Sequence, residues 1–178
     1  MKTKQILEEA IDMIQYYLKE MDQYTPTQFT WKPSEDEWSL GQMMNHLIDA
    51  AYGLQLGAIA KCADDEAVTH GQKTEVGERV YQEGVFPSIR IKLPNDPRFV
   101  PENPNDKEEI KVKLLQLQEK LKEVEPLLVA IPTERTVKHR WLGELNAHEW
   151  FQLIPMHFRH HLRQKERIDQ MLGNGGIQ

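Results

Sequence analysis

Five prolines, Pro87, Pro94, Pro97, Pro101 and Pro104, crowd into one short window of this chain. Proline lacks a backbone N–H, and its ring clashes with the preceding turn, so no regular helix survives that density. The window divides the chain. Helices must lie on either side, joined by a long irregular crossover at about 62–106. Within it, FPSIRIKLP alternates Ile89, Ile91 and Leu93, which admits a brief extended piece. A connection of this length reads either as a lid or binding loop, or as plain packing.

The flanking segments carry helical periodicity. Ile6, Ala10, Met13, Ile14, Tyr17, Leu18 and Met21 recur at three- and four-residue steps and predict an amphipathic first helix, stopped by Thr25 and Pro26. The loop TPTQFTWKPSEDE leads to Ser39, which can cap a second helix with Gln42 as capping-box partner. That helix runs through LGQMMNHLIDAAYGLQLGAIAK. Its Gly53 and Gly57 each weaken it by roughly 1 kcal/mol relative to alanine. With Ala50 and His46 they form a small-residue face suited to close approach of another helix.

A third helix starts at Asn105 or Asp106, buries Ile110, Leu114, Leu117, Leu121 and Val124, and ends or kinks at Pro126. Asn146 caps a fourth, with Glu149 as box partner and Leu145 and Trp150 as a staple; it continues to Leu172 and bends at Pro155. The expectation is an all-α four-helix bundle, one domain over residues 1–178, with a proline-rich insertion at about 62–106.

A net charge of −6 argues against a nucleic-acid binder, which needs a basic face against phosphate. The one cysteine, Cys62, excludes a disulfide framework within the chain and a Cys-rich zinc site, and suits a reducing compartment. MKTKQILEEAIDMIQYYLKEM lacks the apolar core of a signal peptide, and no window approaches the roughly 18 apolar residues of a membrane span. A cytoplasmic protein that engages no membrane is expected.

HFRHHLRQ, residues 157–164, concentrates imidazoles. At about 100° per residue, His161 lies roughly 40° from His157 on the wheel and Gln164 about 20° to its other side. All three fall within the stripe that should face the bundle. His160 is the nearest competitor, and His148 points away. Two histidines at this spacing can chelate one ion, but such pairs also occur without metal. His46, on the small-residue face of the second helix, is either a third ligand or a core histidine hydrogen-bonded to a carbonyl or to Asp49. Three neutral imidazoles suit Zn, Ni or Fe and leave a coordination position open to substrate. Gln164 and Asp49 are candidates to orient a ring or position a ligand.

Other residues have two readings each. Trp31, Trp38, Trp141 and Trp150 can line a pocket, but core or staple roles are favoured for Trp38 and Trp150. Arg159, Arg163 and Arg167 either greet an anionic substrate or form an ion-paired solvated face, and the second is preferred. Cys62 has no neighbour to lower its pKa and reads as apolar filler. His70 and His139 fall in expected loops and are assigned no role.

WKPSEDEWSLGQMMNHL resembles the opening signature of the DinB/YfiT-like superfamily, and WLGELNAHEWFQLIPMHFRHHLRQ resembles its closing one. The resemblance implies a four-helix bundle, often dimeric, with a metal held by three histidines. Carried over by position, these are His46, His157 and His161. Members include transferases and isomerases that use bacillithiol or mycothiol, and proteins described as metal-dependent hydrolases. This chain departs in its long crossover and in Gln42, where an acid is common.

The expected function is therefore a metal-dependent enzyme. A three-histidine divalent site would activate a thiol, such as bacillithiol, or water against a small electrophilic substrate. Transferase chemistry is slightly favoured over hydrolase chemistry, and the protein is expected as a homodimer. The alternatives are a non-catalytic metal-binding, stress-associated bundle and a helical interaction module without metal.

Overall fold

The computed structural model describes residues 2–64, 71–87 and 100–175, with side chains to Gly173. The helices are α1 (Thr3–Met21), α2 (Pro26–Thr30), α3 (Leu40–Asp49), α4 (Gly57–Ala63), α5 (Glu75–Glu83), α6 (Lys107–Val124), α7 (Ala147–His160) and α8 (Leu162–Gly175). A two-stranded antiparallel hairpin, β1 (Thr136–His139) and β2 (Gly143–Asn146), precedes α7. The expected bundle is present. Its four rods are α1, the run α3–α4, α6, and the run α7–α8. None of the described helices is long and apolar enough to cross a membrane.

The stripe of α1 is buried through Ile6, Ala10, Ile14, Tyr17 and Met21. It packs against α6 on one side and α7 on the other, while α3–α4 closes the ring between them. Named contacts give the directions. Lys111 meets Asp22 and Gln118 meets Gln15, so α6 runs antiparallel to α1. Glu9 meets Arg159 and Glu20 meets Lys165, so α7–α8 runs parallel to α1. Cys62 lies against Leu145 O, and His46 against His157, so α3–α4 is antiparallel to α7.

These directions require the crossover to climb the outside of the bundle. It begins beside the hairpin, where Lys73 bridges Gly143. Lys73 Nζ also donates to Glu149 at 2.6 Å, and Tyr81 Oη donates to Glu149 O. The chain then brings Phe86 against His160. At its other end, Gln42 Nε2 donates to Pro101 O, Asn45 Nδ2 to Glu102 O, and Ser39 Oγ to Asn103. Both described arms of the crossover are thus bonded to the bundle. The extended piece expected at Ile89–Leu93 lies outside the described residues.

Several expectations need correction. The crossover contains a helix, α5, because Thr74 caps it and Gly84, at φ 67°, ends it. The loop after α1 contains α2, where Thr25 caps and Pro26 occupies the first turn, a position in which its missing N–H costs nothing. Pro126 does not stop its helix outright but tightens it into a 3-10 segment, Glu125–Ala130. His139 sits in a strand rather than a loop. Its Nδ1 accepts from the N–H groups of Trp141 and Leu142, which closes the hairpin turn. The last rod is interrupted at His161, whose ψ of −7° flattens the backbone.

The small-residue face of the second helix also differs. Between α3 and α4 the helix widens into a π segment, Ala50–Leu56, which takes in an extra residue per turn and shifts the phase. Gly53 is turned to solvent, and a methyl group there would meet nothing within 4 Å. At Gly57 a methyl would meet only Tyr52 O, at 3.7 Å, so no helix approaches closely there. Close approaches occur instead at Gly41, where an added Cβ would lie 2.6 Å from Pro104, and at Gly143, where φ is +82° and a Cβ would lie 2.6 Å from Gln72 O and from Thr74 N.

Gly143→Ala is therefore expected to destabilise the protein by about 2 kcal/mol or more, through both strain and clash. Gly53→Ala is expected to stabilise it by about 0.5–1 kcal/mol. Urea unfolding of the two variants checks this, and shifts of the same sign would contradict it.

Candidate metal centre

His46 is placed by the start of α3. Ser39 caps the helix by accepting from Gln42 N, and Gln42 Oε1 accepts from Ser39 N in return. The same amide donates to Pro101 O, so Gln42 fixes both the cap and the returning crossover. A carboxylate could make only the first of these bonds. His157 and His161 are placed by the end of α7. Asn146 caps that helix with Glu149, and buried Leu145 and Trp150 form the expected staple.

The structure brings His46, His157 and His161 to one point. His157 Nε2 lies 3.2 Å from His46 Nε2 and 3.1 Å from His161 Nε2. All three donor atoms fall within 4.8 Å of one another, and the rings meet edge-on or tilted. Gln164 Oε1 accepts from His161 Nδ1–H at 2.9 Å, which leaves the Nε2 of that ring as a lone pair facing the others. His157 Nε2 then has two close neighbours and at most one proton. A single proton on His157 Nε2 can at best be shared between the lone pairs of the other two rings, so the conflict is an excess of acceptors over donors at this spacing. A cation shared among three lone pairs removes the conflict. Tetrahedral zinc, with Zn–N bonds of about 2.0–2.1 Å, separates its nitrogens by roughly 3.3 Å. The donor set fits such an ion.

Burial disfavours the charged form of all three rings. Burial first, then the charge of His160, holds His46 down at about 4. Burial and the neighbouring His46 take His161 to about 3. His157 is driven well below its usual range by burial and then by His161. Its Nδ1 is buried with no hydrogen-bond partner among the described residues.

Other expected residues divide. His160 stands at the rim, its ring against His161 and Phe86. Asp49 is exposed and is not brought to the cluster. His148 faces away and donates to Leu128 O. His70 lies outside the described residues. Cys62 is fully buried, and its thiol is pushed up to about 11 by burial, as suits apolar filler. Of Arg159, Arg163 and Arg167, only Arg159 is ion-paired among the described residues, to Glu9 at 2.8 Å. Arg163 and Arg167 have no carboxylate partner among the described residues. Trp150 is core, but Trp38 is not a staple: its ring lies 5.0 Å from that of His46, which makes it part of the site. Phe86 was also not anticipated. Trp38 had a signal, its place just before the Ser39 cap one turn or two ahead of His46. Phe86 had none, since only the path of the crossover brings it there.

The family model of the DinB superfamily matches residues 6–164. No curated protein matches the chain. Among solved structures, YfiT from Bacillus subtilis is similar with a TM-score of 0.58 at 14% identity, over 96% of this chain and 87% of its own. That protein is described as "a probable metal-dependent hydrolase with an unusual four-helix bundle topology". At this identity the likeness shows the fold.

The depressed imidazoles link stability to pH. Unfolded histidines take up protons near 6.5, whereas folded His46 resists down to about 4. Protonation therefore favours the unfolded chain as pH falls below 6.5. Metal-free protein should melt at a constant temperature above that pH and progressively earlier towards pH 4. His157→Gln should flatten part of the slope, and a native profile already flat from pH 7 to 4 would refute the linkage.

Proposed function

The chain belongs to the DinB superfamily, and from that premise we propose that His46, His157 and His161 hold a divalent metal ion through their Nε2 atoms in a metal-dependent enzyme. We take hydrolysis of a small electrophilic substrate as its reaction. The observation that carries the reading is the convergence of three imidazole nitrogens that bring more lone pairs than protons. The description of YfiT as a probable metal-dependent hydrolase supports the choice of reaction. A preference for thiol transfer gains no residue from the described site.

Three protein nitrogens leave a four-coordinate ion one position for substrate or solvent. When bound, such an ion supplies Lewis acidity, which polarises a substrate oxygen and eases loss of a proton from water at neutral pH. The chain's own residues do the rest. Gln164 keeps the proton of His161 on Nδ1, so Nε2 remains a donor towards the centre. Trp38 lies against His46 and restricts the directions its ring can take. His160 stands at the rim, held below its ordinary pKa by burial and then by Arg163. It can hold or pass a proton there. Trp38 on one side and Phe86 on the other give the approach apolar walls.

Elemental analysis of protein purified without an affinity tag should find about one zinc, nickel or iron per chain. His157→Ala should carry none, and Gln164→Ala should bind about 10- to 100-fold more weakly. Native protein without metal, or His157→Ala with an unchanged amount, would refute the site. Stoichiometric metal with no turnover across esters, amides and thiol–electrophile pairs would leave a non-catalytic metal-binding bundle.

A further inference from the structure

The last rod is broken at one of the three histidines. His161 ends α7 with its flattened ψ, and α8 starts at the next residue. The first turn of α8 is built on that histidine. The N–H groups of Gln164 and Lys165 both donate to His161 O at 3.0 Å, and Gln164 Oε1 accepts from its Nδ1–H at 2.9 Å. A shift of α8 therefore moves both the backbone and the ring partner of His161.

Apolar contact does little to set where α8 sits. Ile168 is buried and Leu162 packs half-buried on the core, while most of the other residues of the helix are exposed. Such contact is non-directional and leaves a short helix free to slide or turn. Lys165 supplies direction. It is only 4% exposed, and its Nζ meets Glu20 of α1 at 2.6 Å and Asp169 at 2.7 Å. Tyr24, just past the end of α1, donates through Oη to Asp169. Among the described residues, Lys165 and Asp169 are the α8 side chains that bond to another element. A buried ammonium must keep its partners close, and Glu20 is held on the longest helix of the bundle.

We propose that the cluster of Lys165, Glu20, Asp169 and Tyr24 is a positioning device for the metal centre. It locks α8 against α1 in one register, so that Gln164 keeps the proton of His161 on Nδ1 and the Nε2 aimed at His157. The inference rests on the three-histidine reading of the site. No side chain of the four bonds to a cup histidine; they act through the first turn of α8 and through Gln164.

The test uses the full chain and two readouts. Nitrogen-15 spectra of the metal-free protein show which ring nitrogen of His161 carries the proton, and competition with a chromophoric chelator gives zinc affinity. The variants are K165M, Q164A, their double, and G143A, which weakens the hairpin at the other end. Native protein should hold His161 in the Nδ1–H form. K165M should shift it towards a mixture of tautomers and weaken zinc binding about tenfold. The double variant should bind within about twofold of Q164A, because both changes act through one hydrogen bond. G143A should keep the native tautomer and zinc affinity despite its lower stability. K165M with native values of both overturns the proposal, as does a double variant whose loss is the product of the two single losses. A G143A that loses zinc as K165M does overturns it too, since affinity then merely follows stability. If K165M does not fold, Y24F, which removes one hydroxyl from the cluster, is read by the same two measures, and native values in it overturn the proposal. Native protein that takes no zinc removes the three-histidine reading, while the tautomer in K165M still decides the positioning role.

Discussion

Three imidazole nitrogens converge at one end of the bundle, His157 within hydrogen-bond distance of both His46 and His161, and they bring more lone pairs than protons to share. Side chains with a shared, unmet need would move apart unless the backbone held them. Here it does. The cap at Ser39 sets the start of α3, the cap at Asn146 sets α7, and Gln164 pins the outermost ring. Burial lowers the pKa of all three, which disfavours a second proton on each ring and so favours a free lone pair.

The direction of each rod follows from the same demand. To place His46 opposite His157, α3–α4 must run against α7. The chain leaves α4 at the far end and must return to start α6 beside α3. The crossover makes that return, and it is fastened where it leaves, through Lys73 and Tyr81, and where it arrives, through Pro101 to Asn103. The segment that looked like an interruption of the fold also carries Phe86 to the rim of the site.

How much was legible in the residues depended on range. Caps and stripes are local, so Ser39, Asp106, Asn146 and the apolar series of α1 and α6 could be read directly. Thr74 and Gly84 were equally local signals for α5, but the nearby prolines obscured them. The pairing of His157 with His161 followed from helical spacing. That His46 joins them depends on contacts across 111 residues; its helix face left it open between third ligand and core histidine, and the likeness to a known family chose the first. The phase of Gly53 was misread because regular 3.6-residue spacing was assumed through a π segment. Nothing in a short window reveals that widening. The uncommitted state of Arg163 and Arg167 was likewise hidden, since periodicity shows where a charge lies but not whether an acid meets it.

The widened stretch at Ala50–Leu56 also separates the two halves of its helix mechanically. In an unbroken α-helix, inserting or deleting one residue rotates everything beyond it by about 100°. Here the looser coil between α3 and α4 can absorb a change of register by gaining or losing width. The hairpin-facing half, with Ile59 and Cys62, can therefore drift in sequence and re-seat against α7 without twisting the imidazole at the other end. Variation in the lower bundle is decoupled from the geometry of the cup.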